Sequence, residues 1–87
     1  MENKDLIKYR KEIDKIDKEM IKLLKKRFKI AIEIWKIKKP LGMKIKNPKR
    51  EKEIINQVIK ESGFNKKFIT NFYNLIFIES RRIQKEW

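Results

Sequence analysis

The sequence predicts an all-α protein whose chain folds into three helices, one long, one short and one of medium length. Three observations lead there. Apolar residues recur three and four positions apart, which keeps them on one face of a helix. No segment alternates like a half-buried strand for more than a few residues. The helix-breaking residues Pro40, Gly42, Pro48 and Gly63 fall only where that periodicity stops.

The first helix is predicted over about residues 5–38, a stretch with neither Gly nor Pro. Lys39 precedes Pro40 and Gly42 follows, so the helix ends there and residues 39–47 form a loop. Asn47-Pro48 then supplies a cap residue and the proline favoured at a first helical position. This opens a second helix over about residues 48–61, with Ile54, Ile55, Val58 and Ile59 on its buried side. Ser62-Gly63 closes it, Gly63 being suited to a left-handed C-terminal cap. Asn65 caps a third helix over about residues 66–86. Its stripe reads Ile69, Tyr73, Ile76, Ser80, Gln84, Trp87, with Phe72, Leu75 and Ile83 alongside.

Composition narrows the chemistry. The 87 residues suffice for one small domain spanning 1–87. Charged residues make up 43% and the net charge is +13. Most of the excess is lysine, read as solvated surface, so specific nucleic-acid binding is not expected. Arginine occurs only at positions 10, 27, 50, 81 and 82, and scarce arginines are more often placed to grip carboxylate or phosphate. Cysteine and histidine are both absent, which excludes disulfides, thiol catalysis and the commonest general base and metal ligand. The N-terminal MENKDLIKYRK has no apolar run, so no signal peptide or membrane span is predicted and a cytoplasmic protein is expected.

The long helix carries the most telling pattern. One stripe reads Arg10, Ile13, Asp17, Met20, Leu24, Arg27, Ala31, Ile34, Lys38. Most of it is apolar and should be buried, yet three cations interrupt it and Asp17 is its only acid. Buried cations are costly unless an anion meets them, so an anionic ligand is the natural partner. A helix of about 34 residues is roughly 50 Å long, whereas a compact chain of this size has a radius of gyration of about 12 Å. The stripe must therefore pack against a second copy of the chain or another partner, and a homodimer with paired long helices is the economical answer. Arg27 and Lys38 lie about 16 Å apart along one helix, and Arg10 about 25 Å from Arg27. In an antiparallel pairing, Arg10 of one subunit reaches the Arg27–Lys38 gap of the other. Arg50 and Glu51 at the start of the second helix, with Ser80 and Gln84 one turn apart on the third, would complete a cationic pocket.

The ordered set Arg10-x-x-Ile13-Asp14-x-Ile16-Asp17-x-x-Met20-x-x-Leu23-Leu24-x-x-Arg27, Lys38, Asn47-x-x-Arg50-Glu51 and Glu79-Ser80-x-x-x-Gln84 closely resembles the all-helical (AroQ-class) chorismate mutases. The resemblance covers nearly the whole chain. It implies an interlocked homodimer with active sites shared between subunits, converting the dianion chorismate to prephenate in phenylalanine and tyrosine biosynthesis without a cofactor or metal. By the same resemblance, Arg10 of one subunit and Arg27 of the other clamp the two substrate carboxylates. Lys38 bonds the ether oxygen and one carboxylate, and Gln84 donates to that ether oxygen. Glu51 accepts the ring hydroxyl, Arg50 sits beside it near a carboxylate, and Ser80 is a nearby polar contact. Asn47 stands where the family often has Asp, and Arg81 where a small apolar residue is common. Arg81 either adds to the anion field or points to solvent.

A Claisen rearrangement is unimolecular and needs no nucleophile or general base, which suits a chain lacking Cys and His. Each polar residue also has a plainer reading: Arg27 an interior arginine with its head in water, Ser80 a hydroxyl bonded to a backbone carbonyl, Glu51 a charge at a helix start. The joint spacing favours the enzyme. Two alternatives stay open, an isochorismate pyruvate-lyase of the same fold and a non-catalytic basic helical binding module.

Overall fold

A computed structural model describes residues 3–87. Its elements are α1 (Lys4–Lys38), a 3₁₀ turn (Lys39–Leu41), α2 (Pro48–Ser62) and α3 (Lys66–Gln84), with no strand among the described residues. Contacts divide the chain into two units, Met1–Ile30 and Ala31–Trp87.

The first unit is helical from its start. Asn3 caps α1, its side-chain oxygen accepting from the backbone N–H of Asp5 at 2.8 Å and of Leu6 at 3.4 Å. Asp5 lies in the first turn, at the positive end of the helix dipole. Every described residue of this unit up to Leu23 is exposed, and Leu24, Arg27 and Phe28 are half-buried. The stripe through Ile13 and Met20 was predicted to be buried, and in the single chain it stands in solvent. A helix buries its apolar face only against another element, and this unit contains α1 alone. Among its exposed large apolar residues the exposure runs from 37% at Ile7 to 65% at Leu23.

The second unit holds a small core built from Ala31 at the end of α1 and Ile69, Ile76 and Phe77 on α3. α2 packs against α3 and brings half-buried Ile54, Ile55, Val58 and Ile59. On α3 the buried line passes through Phe77, while Leu75, placed alongside the stripe from sequence, is exposed. Phe64, Phe68, Phe72, Tyr73 and Phe77 form a continuous row with ring centroids 5.5 to 6.3 Å apart, spacing at which aromatic pairs attract.

The connections follow local rules. Gly42 and Gly63 both adopt left-handed backbone, at φ 69° and 67°, where a side chain would be strained. Gly42 donates to Lys39 O at 3.1 Å and closes the 3₁₀ turn, so the 39–47 connection starts with ordered backbone. Gly63 donates to Ile59 O at 3.0 Å and stops α2. Asn65 caps α3 by accepting from Phe68 N at 3.0 Å. α3 ends at Gln84, short of the predicted residue 86, because Glu86 and Trp87 donate three residues back, to Ile83 O and Gln84 O. Such bonds tighten a last turn into 3₁₀ form.

Candidate active site

The end of α1 and the C-terminal half of α3 place Gln84 first. Its side chain is 8% exposed, and Nε2 donates to the backbone carbonyl of Ala31 at 2.7 Å. Only the amide nitrogen can donate to a carbonyl, so this bond fixes which way the amide faces and leaves its second N–H for a ligand. The small side chain of Ala31, itself buried, lets α3 approach close enough to make the bond. Ala31 and Lys38 are seven residues apart on α1, hence about 10 Å along the axis and nearly on one face.

Lys38, the last residue of α1, is half-buried, and its Nζ donates to Ile45 O at 3.2 Å. Met43 N in turn donates to Lys38 O at 3.1 Å, so the loop folds back over the helix end. An ammonium carries three donors, and two remain after the Ile45 bond. Nearby on the same helix end, Lys36 lies over the Trp87 ring at 4.7 Å and Lys39 donates to Trp87 O at 3.0 Å. These contacts tie the end of α3 to the end of α1.

Ser80 is one turn before Gln84 on the buried face of α3. Its hydroxyl oxygen is buried with no hydrogen-bond partner, the one such side-chain atom among the described residues. A helical serine ordinarily bonds the carbonyl four residues back, as Thr70 does to Lys66 O at 2.8 Å. Ser80 does not. An unsatisfied buried hydroxyl costs about 1–3 kcal/mol, and a polar partner from outside the chain, a water or a ligand group, would recover it.

Glu51 lies in the first turn of α2 and bonds the Arg81 guanidinium, Nη1 donating to Oε2. Both side chains are about one-fifth exposed, at 20% and 19%. Arg81 therefore neither points to solvent nor stands as an unpaired cation. Arg50 turns the other way: it is exposed and its Nη1 lies 3.7 Å from Glu53 on the outer side of α2. Arg82 likewise pairs locally, with Glu79 on α3 and Glu86 just beyond it, and its hydrogen bond holds the Glu79 carboxyl below the usual range.

Asn47 is the N-cap of α2, its side-chain oxygen accepting from Arg50 N at 3.1 Å. Asn47→Ala is accordingly expected to cost about 1 kcal/mol of stability, whereas Asn47→Asp keeps the acceptor and the stability. Urea melts of the two variants check this. Arg10 and Arg27 belong to the first unit, Arg10 exposed and Arg27 half-buried. Within the second unit the structure thus brings Ser80 and Gln84 to one buried face, sets Glu51 against α3 and leaves Arg50 on the surface. Among the described residues no group of three acidic side chains is placed to hold a metal ion, and no helix is long and apolar enough to cross a membrane.

A buried amide donor, a half-buried ammonium and an unsatisfied hydroxyl suit an anionic or ether-bearing ligand. The pattern of the family described as chorismate mutase type II matches residues 9–85, a span that contains every residue discussed above as a ligand contact. The chain belongs to that family. It is 31% identical over 85 residues to a chorismate mutase of Methanocaldococcus jannaschii, a match covering 94% of this chain and 86% of that protein. It is 34% identical over 85 residues to a bifunctional chorismate mutase/prephenate dehydratase of Buchnera aphidicola, covering 94% of this chain and 22% of that longer protein. Among solved structures, a conserved hypothetical protein of Pyrococcus furiosus shares the fold with a TM-score of 0.80 and 37% identity, over 95% of this chain and 99% of that one.

Two backbone partners of Gln84 and Lys38 in this chorismate mutase family member escape a reading of polar side chains. Ala31 acts through its backbone oxygen. Its only sequence signal is a small residue in a stripe of large ones. Ile45 likewise offers only a carbonyl, and an apolar residue in a short loop gives no hint of that.

Proposed function

We infer that the chain catalyses the rearrangement of chorismate to prephenate, the isomerase step of aromatic amino-acid biosynthesis, and the observation that carries this is family membership across residues 9–85. The reaction breaks the ether C–O bond of the enolpyruvyl group and forms a C–C bond to the ring within one molecule. Holding the enolpyruvyl arm over the ring restricts the substrate to a near-attack shape. As C–O cleavage runs ahead of C–C formation, negative charge grows on the ether oxygen. Donors aimed at that oxygen stabilise the transition state more than the bound substrate. The second amide N–H of Gln84 and the remaining hydrogens of Lys38 are assigned to this task. Ser80 supplies a polar contact beside them, Glu51 accepts the ring hydroxyl, and Arg27 with Arg10 of a partner subunit clamps the carboxylates. Arg50, at the start of α2 and assigned near a substrate carboxylate, faces Glu53 in the single chain and would turn from it to bind.

The test is direct. Purified protein incubated with chorismate should consume it and yield prephenate, and with isochorismate should yield no salicylate and pyruvate. The reverse result would make it the lyase.

The reading includes a homodimer. It is supported by the exposed apolar residues of the first unit, among them Leu6, Ile13, Ile16, Met20 and Leu23, since an amphipathic helix gains most of its stability from packing its apolar face. Light scattering should give twice the 10.8 kDa chain mass. Arg10→Ala and Arg27→Ala chains should each be nearly inactive, and mixing them should restore some turnover. Each mixed dimer then holds one site with both arginines and one with neither. An active monomer, or a mixture no better than its components, would remove the shared site.

A further inference from the structure

We propose that Arg81 is a positioning residue for substrate recognition: its guanidinium holds the Glu51 carboxylate by one oxygen and presents the other to the ring hydroxyl of the substrate. This rests on the reading that Glu51 receives that hydroxyl.

The geometry separates this pair from the Arg50–Glu53 and Arg82–Glu79 pairs on the surface. Arg81 reaches from α3 to α2 across 30 residues of sequence. Its two side chains are 19% and 20% exposed, against 65% and 54% for Arg50–Glu53 and 61% and 43% for Arg82–Glu79. Exposed pairs of that kind contribute little. A pair withdrawn from water gives back much of its attraction as desolvation cost, so stability alone is a weak reason to place one here. A second, independent observation points to a ligand beside it. Ser80, the residue before Arg81, carries the buried hydroxyl that has no partner, and Gln84 completes the same turn of α3.

The chemistry of the two groups fits the role. An ionised carboxylate accepts through both oxygens. Arg81 engages Oε2 through Nη1, and Oε1 remains to accept from a hydroxyl. A guanidinium is always charged and makes a strong charge-assisted hydrogen bond, so it anchors the carboxylate oxygen that it binds. Glu51 lies in the first turn of α2, and without a partner its two methylenes would leave the carboxylate free to rotate. Arg81 keeps it on the α3 side. The sequence position agrees, because Arg81 stands one residue beyond the buried face rather than on it, where its long arm can run along α3 to the start of α2.

The contact between Glu51 and the hydroxyl exists in the bound substrate as well as in the transition state. Its loss should therefore raise KM and leave kcat little changed. Arg81→Met keeps the apolar stem and removes the charge, and is expected to raise KM for chorismate about tenfold. Arg81→Lys should recover most of that loss. In a Glu51→Gln background Arg81→Met should add nothing further, since the two act as a unit. Circular dichroism and melting curves run alongside separate a folding defect from a binding one. A KM unchanged in Arg81→Met, with only the melting temperature lowered, overturns the proposal and leaves Glu51 as the hydroxyl acceptor. A KM unchanged in Glu51→Gln overturns the assignment of Glu51 and the proposal together. Additive effects in the double variant also overturn it.

Discussion

Lys38→Ala should lower kcat by about two to three orders of magnitude, the effect of losing about 3–4 kcal/mol of donor stabilisation at a developing oxyanion. Two functions of Lys38 are separable in this variant. Its Nζ ties down the loop through Ile45 O, and losing that single bond should cost about 1 kcal/mol of stability. α1 itself should persist, because Lys38 is its final residue and a helix end tolerates alanine. A small fall in melting temperature beside a large fall in kcat is therefore the expected pair of results. Steady-state kinetics on the folded variant decides the role. If KM rises and kcat holds, Lys38 binds a carboxylate and does not face the ether oxygen.

Gln84→Glu should convert a pH-independent donor into a pH-dependent one. The amide gives one N–H to Ala31 O and has a second for the substrate, neither of which titrates. The new carboxyl would be almost fully buried and opposite a carbonyl oxygen, and both features disfavour its ionised form, so its pKa is raised above the ordinary glutamate value. Only the protonated form can donate, and the ionised form repels charge growing on the ether oxygen. Activity should be greatest at low pH and fall as the pH rises through that raised pKa. Stability follows the same direction. A carboxyl with a raised pKa binds more protons folded than unfolded, so the variant is destabilised progressively above about pH 4.3 and up to the folded-state value. The measurements are kcat and melting temperature across pH 4–9 for the variant beside the parent chain. Full activity of Gln84→Glu with a flat profile through neutral pH would place the side chain away from the ether oxygen.

The helical layout was legible in the sequence because its signals are local. Asn47 before Pro48, Gly63 and Asn65 act within four residues of themselves, and the structure shows each in the capping role its chemistry suits. The presence of Ser80 and Gln84 on one apolar face of α3 was equally local, following from a four-residue spacing. The interruption of the α1 stripe by Arg10, Arg27 and Lys38 was visible as well, since a sequence states charge and period directly.

Pairings were another matter, and only the tertiary structure decided them. Arg50 and Arg81 carry the same charge, yet Arg81 meets Glu51 and Arg50 goes to Glu53. Which of them reaches the carboxylate depends on how α2 and α3 rotate against each other, and no spacing within either helix fixes that. Gln84 finds Ala31 across 53 positions, and Lys38 finds Ile45. Both acceptors are backbone carbonyls, which every residue possesses and no side-chain pattern reveals. Phe77 rather than Leu75 enters the core because the line of closest approach to neighbouring elements selects among residues that periodicity alone leaves equivalent. Sequence determined which elements form and what chemistry they carry; the packing of α2, α3 and the end of α1 determined which groups meet, because long side chains and backbone carbonyls acquire partners only when distant segments are brought within about 3 Å of each other.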